Sequence, residues 1–145
     1  MNFKRQYIIF FVSNVFVVLL LSVFVVNRVN AGDSIKVPED FKSINEAIAA
    51  ASRFDTVIVA SGFYEENLFI TQPVNIVAMK QVKLIAKKDK PAVTITTTHN
   101  VKIEGLEIIG GREGIFITNS SGVTVLRNKI SDSRLCGIRV RFGSA

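Results

Sequence analysis

The side chains best suited to binding chemistry are arginines near the C-terminal end. The candidates are Arg112, Arg134, Arg139 and Arg141, with Arg127 between them in the chain. Arg139 and Arg141 alternate with apolar residues, so both are predicted to face outward from one strand. Because a guanidinium pairs with a carboxylate through two hydrogen bonds, an outward row of arginines would bind a uronate-containing polymer. The alternative is an ordinary charged surface, which discourages association between strand edges.

Carboxylates form the second group, because hydrolysis of a sugar chain commonly uses two of them at a defined separation. The part of the chain after residue 100 has four: Glu104, Glu107, Glu113 and Asp132. Glu104 and Glu107 stand three residues apart around a turn at Gly105, and both are expected to point outward onto a solvated face. This spacing does not show that two of these carboxylates lie close together, so the sequence assigns no catalytic residue. The chain as it stands is expected to act without a catalytic site.

Metal ligands of the soft type are scarce. His99 is the only histidine and Cys136 the only cysteine. No cluster of such ligands can form from them, so the sequence predicts no metal and no cofactor. Cys136 has no partner for an intramolecular disulfide and is interpreted as a small packing residue. The fold is therefore expected to be held by packing alone.

Two asparagines occupy turn-like places. Asn119 and Asn128 follow strand-like segments, where an asparagine side chain satisfies backbone groups and tolerates a left-handed conformation. In stacked repeats, equivalent side chains of this kind would bond along the stack. The segment 119–121, Asn-Ser-Ser, also fits the acceptor pattern for N-glycosylation, which matters only in a host that uses it.

These residues lie on a repeat of about 22 residues, a period typical of solenoids. Val93, Ile115 and Ile138 take equivalent places in three segments that alternate apolar and other residues. A second phase repeats residues 101–103 as 123–125. Alternation of this kind predicts half-buried strands, and one repeat cannot bury its apolar face alone.

The short connections decide how such strands pair. Parallel neighbours within a flat sheet need a crossover of a dozen or more residues, which this chain lacks. In a solenoid the parallel neighbour is one circuit away, so the difficulty disappears. A doubly wound α/β sheet is thereby excluded, whereas an antiparallel sandwich would not need the fixed period. The sequence predicts an all-β solenoid of four to five coils.

One helix is predicted over residues 43–51. Ser43 is placed to cap it, and Glu46 stands three residues later as in a capping box. Ile44, Ala47 and Ile48 fall on one face, with residue 51 beside them. That face is predicted to cover the first coil, where it would also hide strand edges.

Residues 1–31 differ from the rest. Lys4 and Arg5 precede an apolar run over residues 7–26, and small residues lie at 29 and 31. This layout predicts a secretory signal cleaved before Gly32, and the alternative is a retained membrane anchor, since 20 apolar residues can span a bilayer. In both cases residues 32–145 are expected to be exported, as a secreted, periplasmic or cell-surface domain.

Because residues 32–145 are the exported part, their net charge is the one that bears on binding partners. Three of the 18 basic residues precede Gly32, where no acid occurs, so residues 32–145 keep 15 basic and 12 acidic residues and a net charge of +3. Such a charge is too mild to predict a nucleic-acid partner. Acidic polysaccharide or another cell-envelope glycan remains the expected partner, with membrane contact only through residues 1–31.

The opening of the exported part resembles a known group. Residues 37–48 (VPEDFKSINEAI), 55–59 (DTVIV) and 62–67 (GFYEEN) are similar to the opening of right-handed parallel β-helix proteins of the pectin-lyase-like superfamily. The similarity is greatest to NosD-like and carbohydrate-binding or sugar-hydrolase β-helix domains. It implies a single-stranded parallel β-helix with an N-terminal capping helix.

The resemblance is specific for fold and leaves function open, because the superfamily holds lyases, hydrolases, esterases and binding proteins. It implies a carbohydrate-associated module, with two alternatives. One is a fragment of a polysaccharide lyase, glycoside hydrolase or pectinesterase-like enzyme, although the acidic calcium ligands of such lyases have no counterpart here. The other is a NosD-like accessory protein for copper-enzyme maturation. Relatives continue for further coils, so the chain is expected to lack its C-terminal coils; a bare last coil would offer strand edges to a partner.

Overall fold

The computed structural model describes residues 32–142, and every strand pairing among them is parallel. Each strand pairs with the strand about one repeat away in the chain; the first two strands, which a helix separates, are the one consecutive pair among the described strands. The strands thus line up in three sheets around a common interior. The predicted parallel β-helix is confirmed, with about five coils in the described residues.

The three sheets share a simple order. Sheet A contains β1 (Ser34–Val37), β2 (Thr56–Val59), β5 (Asn75–Ala78), β8 (Lys102–Glu104) and β11 (Thr124–Leu126). Sheet B contains β3 (Gly62–Tyr64), β6 (Val82–Ala86), β9 (Glu107–Gly110) and β12 (Lys129–Ser131). Sheet C contains β4 (Leu68–Ile70), β7 (Val93–Thr96), β10 (Glu113–Thr118) and β13 (Cys136–Arg141). One helix, α1 (Ile44–Ala50), lies between β1 and β2 in the chain.

The predicted register is correct. Ile115 lies between Val93 on one side and Ile138 on the other. Val93 and Ile115 are fully buried, as are Ile76 and Ile103 of sheet A and Leu84 and Ile108 of sheet B, so the interior is a set of stacked apolar columns. Burial of such side chains provides about 1.5–3 kcal/mol each and dominates the stability of the domain.

The last described coil is less covered. Ile138 and Val140 continue the columns in register, yet 48% and 51% of their surfaces stay exposed. Among residues 32–142, no strand pairs with the far side of β13. Position in the column therefore fixes the direction of a side chain, and a neighbour on both sides is needed to bury it.

Two strands lie outside the repeat that the sequence shows. β1 (SIKV) alternates but precedes the repeat, and β3 begins at Gly62, a residue type that is rare in strands. β3 is held by its pairing with β6, in which Tyr64 lies beside Leu84. Pairing with the next coil, rather than local propensity, makes these residues strands.

Helix α1 is fixed at both ends by side chains from the next coil. The Ser43 hydroxyl accepts from the Glu46 N–H, as predicted, and the Glu66 carboxylate accepts from the N–H groups of Ile44 and Asn45. At the other end the Gln72 amide donates to two helix carbonyls. The helix packs on β1, β2 and β4, so the predicted cover of the first coil is confirmed. Among the described residues no helix has the length and apolar character that a membrane span needs.

The corners repeat from coil to coil as well. Positive φ angles recur about 22 residues apart, at Thr97 and Asn119 and at Gly105 and Arg127. Asn128 satisfies backbone groups as predicted: it accepts from the Leu106 N–H and donates to a carbonyl of the preceding coil. Its amide bonds the neighbouring coil's backbone, not a stacked copy of itself.

Candidate functional site

The corner between sheets B and C carries a concentration of charged side chains. Four turns stack there, at residues 65–67, 87–92, 111–112 and 132–135, and we call them the B–C corner. The turn at 87–92 is longer than the other three because six residues separate β6 from β7. It carries three lysines and one aspartate, all exposed: Lys87, Lys88, Asp89 and Lys90.

A cavity of about 650 Å³ lies on one side of this turn. Its lining includes Phe69, which is 58% exposed, and Thr94, which lies beside Phe69 in the register of sheet C. Its charged part consists of Lys87, Lys90 and the carboxylates of residues 65, 66 and 89. An exposed aromatic ring beside hydrogen-bonding groups of both signs suits a ligand with apolar faces and polar edges.

The long turn is held in place by its neighbours. Asn67 accepts from the Lys87 N–H at 3.1 Å and donates to the Pro91 carbonyl at 2.8 Å. From the following coil, the Arg112 N–H donates to the Lys90 carbonyl at 2.8 Å. The backbone that carries these lysines is therefore braced from both coils, and less ordering is needed when a ligand binds.

A second cavity, of about 460 Å³, lies on the other side of the same turn. Ile85 and Ile109 form its apolar part, and Lys88, Asp132 and Arg134 are the charged residues that line it. Arg134 is one of the arginines predicted to bind ligand. The sequence-based prediction gave the lysines of this turn no role in binding, although the turn is longer than its equivalents in the other coils.

Two other predicted arginines converge on one buried carboxylate. Glu113 is fully buried, and its two oxygens accept from Arg112 Nε and Arg139 Nη1, each at 2.9 Å. Both arginine side chains are nearly half exposed. Their first role is thus to neutralise Glu113 and to connect β10 with β13, which leaves other guanidinium donors directed elsewhere.

Arg141 lies apart from that cluster. It is exposed on the outer face of sheet C, in register with Thr118, two residues beyond Arg139 on β13. The four arginines therefore do not form one row: the structure places them at the B–C corner and on sheet C.

The expectation of a solvated face is wrong for Glu104. Only 8% of this residue is exposed, and its carboxylate forms ion pairs with Arg127 and Lys102. The alternation that directs Glu104 outward is correct, but cations from the same coil and the next one cover it. Its charge is neutralised by two partners, as is that of Glu113.

Glu107 belongs to a row of charges on the outer face of sheet B. It lies between Lys83 and Lys129 in register, with its oxygens 3.7 Å and 2.9 Å from their ammonium nitrogens. The hydrogen bond from Lys129 is the main cause that lowers the pKa of Glu107. A general acid for glycoside hydrolysis needs a raised pKa, so Glu107 is not tuned for that role.

Comparison with known proteins decides the family. Residues 49–145 match the family described as "Periplasmic copper-binding protein (NosD)". The match spans more than half of the chain. The chain belongs to the NosD family. As a NosD-like protein it carries the β-helix that its opening residues predicted.

One relative places NosD-like sequence in a much larger protein. A cell surface glycoprotein of Methanothermus fervidus is 31% identical over 99 residues. These residues are 67% of this chain and 17% of that protein, so the chain spans less than a fifth of its relative. No solved structure matches the chain.

The family description names copper, so the positions of the residues that could bind copper matter. Met79 and His99 lie in turns that lead to different sheets, and Cys136 begins β13. The His99 ring bonds to Arg53. Within residues 32–142, no three of His, Cys, Asp and Glu come together in a group that could hold a metal ion. The arrangement of these side chains in the described residues does not fit a copper site.

Proposed function

We propose that residues 32–142 form an exported binding module that holds an acidic glycan of the cell envelope along the B–C corner. The module binds its ligand without transforming it. The ligand lies across the turn at 87–92, with its carboxylates near Lys88 and Arg134 and an apolar face of a sugar ring on Phe69.

The observation that carries this proposal is the pair of cavities on the two sides of one braced turn. Lys88, Asp132 and Arg134 line one cavity beside the aliphatic residues Ile85 and Ile109. Hydrogen bonds from ammonium and guanidinium groups to carboxylates are stronger than those between neutral groups. Glu65, Asp89 and Asp132 are exposed at the same corner and would accept hydrogen bonds from the hydroxyl groups of the sugar.

Export is supported by three independent points. The layout of residues 1–31 is that of a secretory signal or an anchor, although these residues lie outside the described range. The family is described as periplasmic, and the M. fervidus relative as a cell surface protein. A glycan of the envelope is the polymer that a domain in these places would meet.

The test is a binding titration of the purified protein with polygalacturonate, and with dextran as an uncharged polymer. Lys88→Ala combined with Arg134→Ala is expected to weaken binding of polygalacturonate about tenfold, the loss of about 1.4 kcal/mol. Lys42→Ala combined with Lys80→Ala is the matched control, since it removes the same charge from exposed positions away from the B–C corner.

Three outcomes of this titration are informative. Equal losses in the two double variants would show a nonspecific charge effect and contradict the proposal, as would equal affinity for dextran and polygalacturonate. A loss in Arg141→Ala as large as that of the corner variant would move the site to the outer face of sheet C, where the sequence-based prediction placed part of it.

A second candidate, an accessory role in maturing a copper enzyme, is favoured by the family description alone. Its test is a titration of the purified full chain with Cu(I) under reducing conditions. Stoichiometric binding that disappears in His99→Ala would support this role, and the absence of binding would favour the glycan module.

A further inference from the structure

Asn119 stands out among the asparagines of this chain. It begins the segment Asn119-Ser120-Ser121, and none of the other nine asparagines is followed by Ser or Thr two residues later. The pattern Asn-X-Ser/Thr, with X other than Pro, is the acceptor pattern for N-glycosylation. The chain thus offers a single position that an oligosaccharyltransferase would recognise.

The structure places this pattern where an enzyme reaches it. Asn119 follows β10 directly, at the corner between sheets C and A, with a positive φ of 47°. Asn119 and Ser121 are both exposed. Turns on the surface are the usual location of glycan acceptors, because bulky groups attached there displace no packed side chain.

Three other asparagines are less accessible. Asn45 in α1, and Asn67 and Asn128 on turns, are partly buried, and their amides bond the backbone of adjacent coils. None of these three carries the acceptor pattern, which occurs at an exposed corner.

We infer that Asn119 is an N-glycosylation site. The donor is an oligosaccharide linked to a lipid pyrophosphate. The Asn119 amide nitrogen forms a bond to the anomeric carbon of the first sugar and loses one proton to a base of the oligosaccharyltransferase. The bond from that carbon to the pyrophosphate oxygen breaks, and the lipid pyrophosphate leaves with the electron pair. The inference uses the export of this domain from the proposed function, and not its glycan-binding corner.

The position of Asn119 is compatible with that function. Sheet C separates the corner that carries Asn119 from the B–C corner. An oligosaccharide on Asn119 would shield the C–A corner while the two cavities stay open. We therefore expect Asn119→Gln to leave the affinity for polygalacturonate unchanged.

The test is an assay with the purified full chain, the lipid-linked donor and an oligosaccharyltransferase that accepts Asn-X-Ser/Thr, followed by intact-mass and peptide mass spectrometry. The expected result is a mass increase of one oligosaccharide, on the peptide that contains Asn119. Ser121→Ala and Asn119→Gln are expected to abolish the increase. Ser120→Ala is the matched control, because it changes a neighbouring serine and keeps the pattern.

An unmodified protein, in an assay where a peptide of the same pattern is modified, would overturn the inference. So would modification that survives Ser121→Ala. Because the assay needs neither export nor the B–C corner, its failure is distinguishable from failure of the proposed function. A protein that is modified but does not bind polygalacturonate would contradict the proposed function alone.

Discussion

The Thr98 hydroxyl is buried at the corner between sheets C and A. Thr98 is 8% exposed, and within residues 32–142 its oxygen has no hydrogen-bond partner, although its N–H donates to Ser120. A buried hydroxyl without a partner costs about 1–3 kcal/mol relative to a satisfied one. Valine has nearly the same shape and needs no partner.

We therefore expect Thr98→Val to raise the free energy of unfolding by about 1 kcal/mol, measured by urea denaturation. Thr94→Val is the control, because Thr94 lies on the outer face of sheet C; its effect should stay within about 0.5 kcal/mol. A loss of stability in Thr98→Val would mean that the hydroxyl is bonded after all.

The ion pair of Glu107 and Lys129 should make the stability of the fold depend on pH. The hydrogen bond between them lowers the pKa of Glu107 below its ordinary value of 4.5 and raises that of Lys129 above 10.5. A carboxyl with a lowered pKa stabilises the fold above pH 4.5, and this contribution is lost as the pH falls through the folded-state pKa. The contribution of Lys129 is present below pH 10.5 and is lost as the pH rises beyond it.

The measurement is the melting temperature of the wild type and of Glu107→Gln across pH. The difference between them should be constant between about pH 5 and 10 and should shrink outside this window, at both ends. It should also shrink in 1 M salt, because these side chains are exposed and screened. A difference in melting temperature that does not change with pH would show that the ion pair of Glu107 and Lys129 does not stabilise the fold.

At the level of single residues, the motif that made the sequence recognisable is structural. Asp55 accepts from the N–H groups of Asp33 and Ser52, and the Tyr64 hydroxyl donates to the Ala60 carbonyl. Glu66 caps the helix. Such residues predict the fold because they hold the first coil, and for the same reason they carry no information on the ligand.

At the level of elements, α1 is a helix of seven residues that depends on caps supplied by another coil. Glu66→Gln removes the negative charge that accepts from the first helical N–H groups. We expect it to reduce the free energy of unfolding by about 1–2 kcal/mol. Glu65→Gln is the control: this neighbour is exposed, and its substitution should change stability by less than about 0.5 kcal/mol. Equal effects of the two substitutions would contradict the capping role.

The strands of sheet C give a second prediction at this scale. Ile115 has stacked neighbours on both sides, whereas Ile138 has one and is half exposed. Ile115→Ala should cost about 2–5 kcal/mol in urea denaturation, and Ile138→Ala less than about 1 kcal/mol. Similar costs at the two positions would mean that the last coil is covered, or that the column at Ile115 is not continuous.

At the scale of the whole molecule, the repeat predicted more than any motif did. The equivalence of Val93, Ile115 and Ile138 gave the parallel register and the number of coils, because stacking requires a fixed period. The positions of Glu104 and of the lysines at 87–90 could not be predicted in this way. Their surroundings depend on which turns stack at a corner and on which cations of the next coil reach a carboxylate.

The central claim is that residues about 22 apart lie side by side on neighbouring coils. Thr94 and Phe116 are such a pair, and Arg139 lies one coil further on. Neighbouring strands are about 4.8 Å apart, within the range of a disulfide, while two coils span about 10 Å. Cysteine pairs at outward-facing positions therefore measure the stacking.

In a Cys136→Ser background, Thr94→Cys with Phe116→Cys should form a disulfide on mild oxidation, detected by loss of free thiols and by mass. Thr94→Cys with Arg139→Cys should keep both thiols free. Failure of the first pair to close, or equal closure of the second, would contradict the stacked arrangement on which the cavities and the proposed binding corner depend.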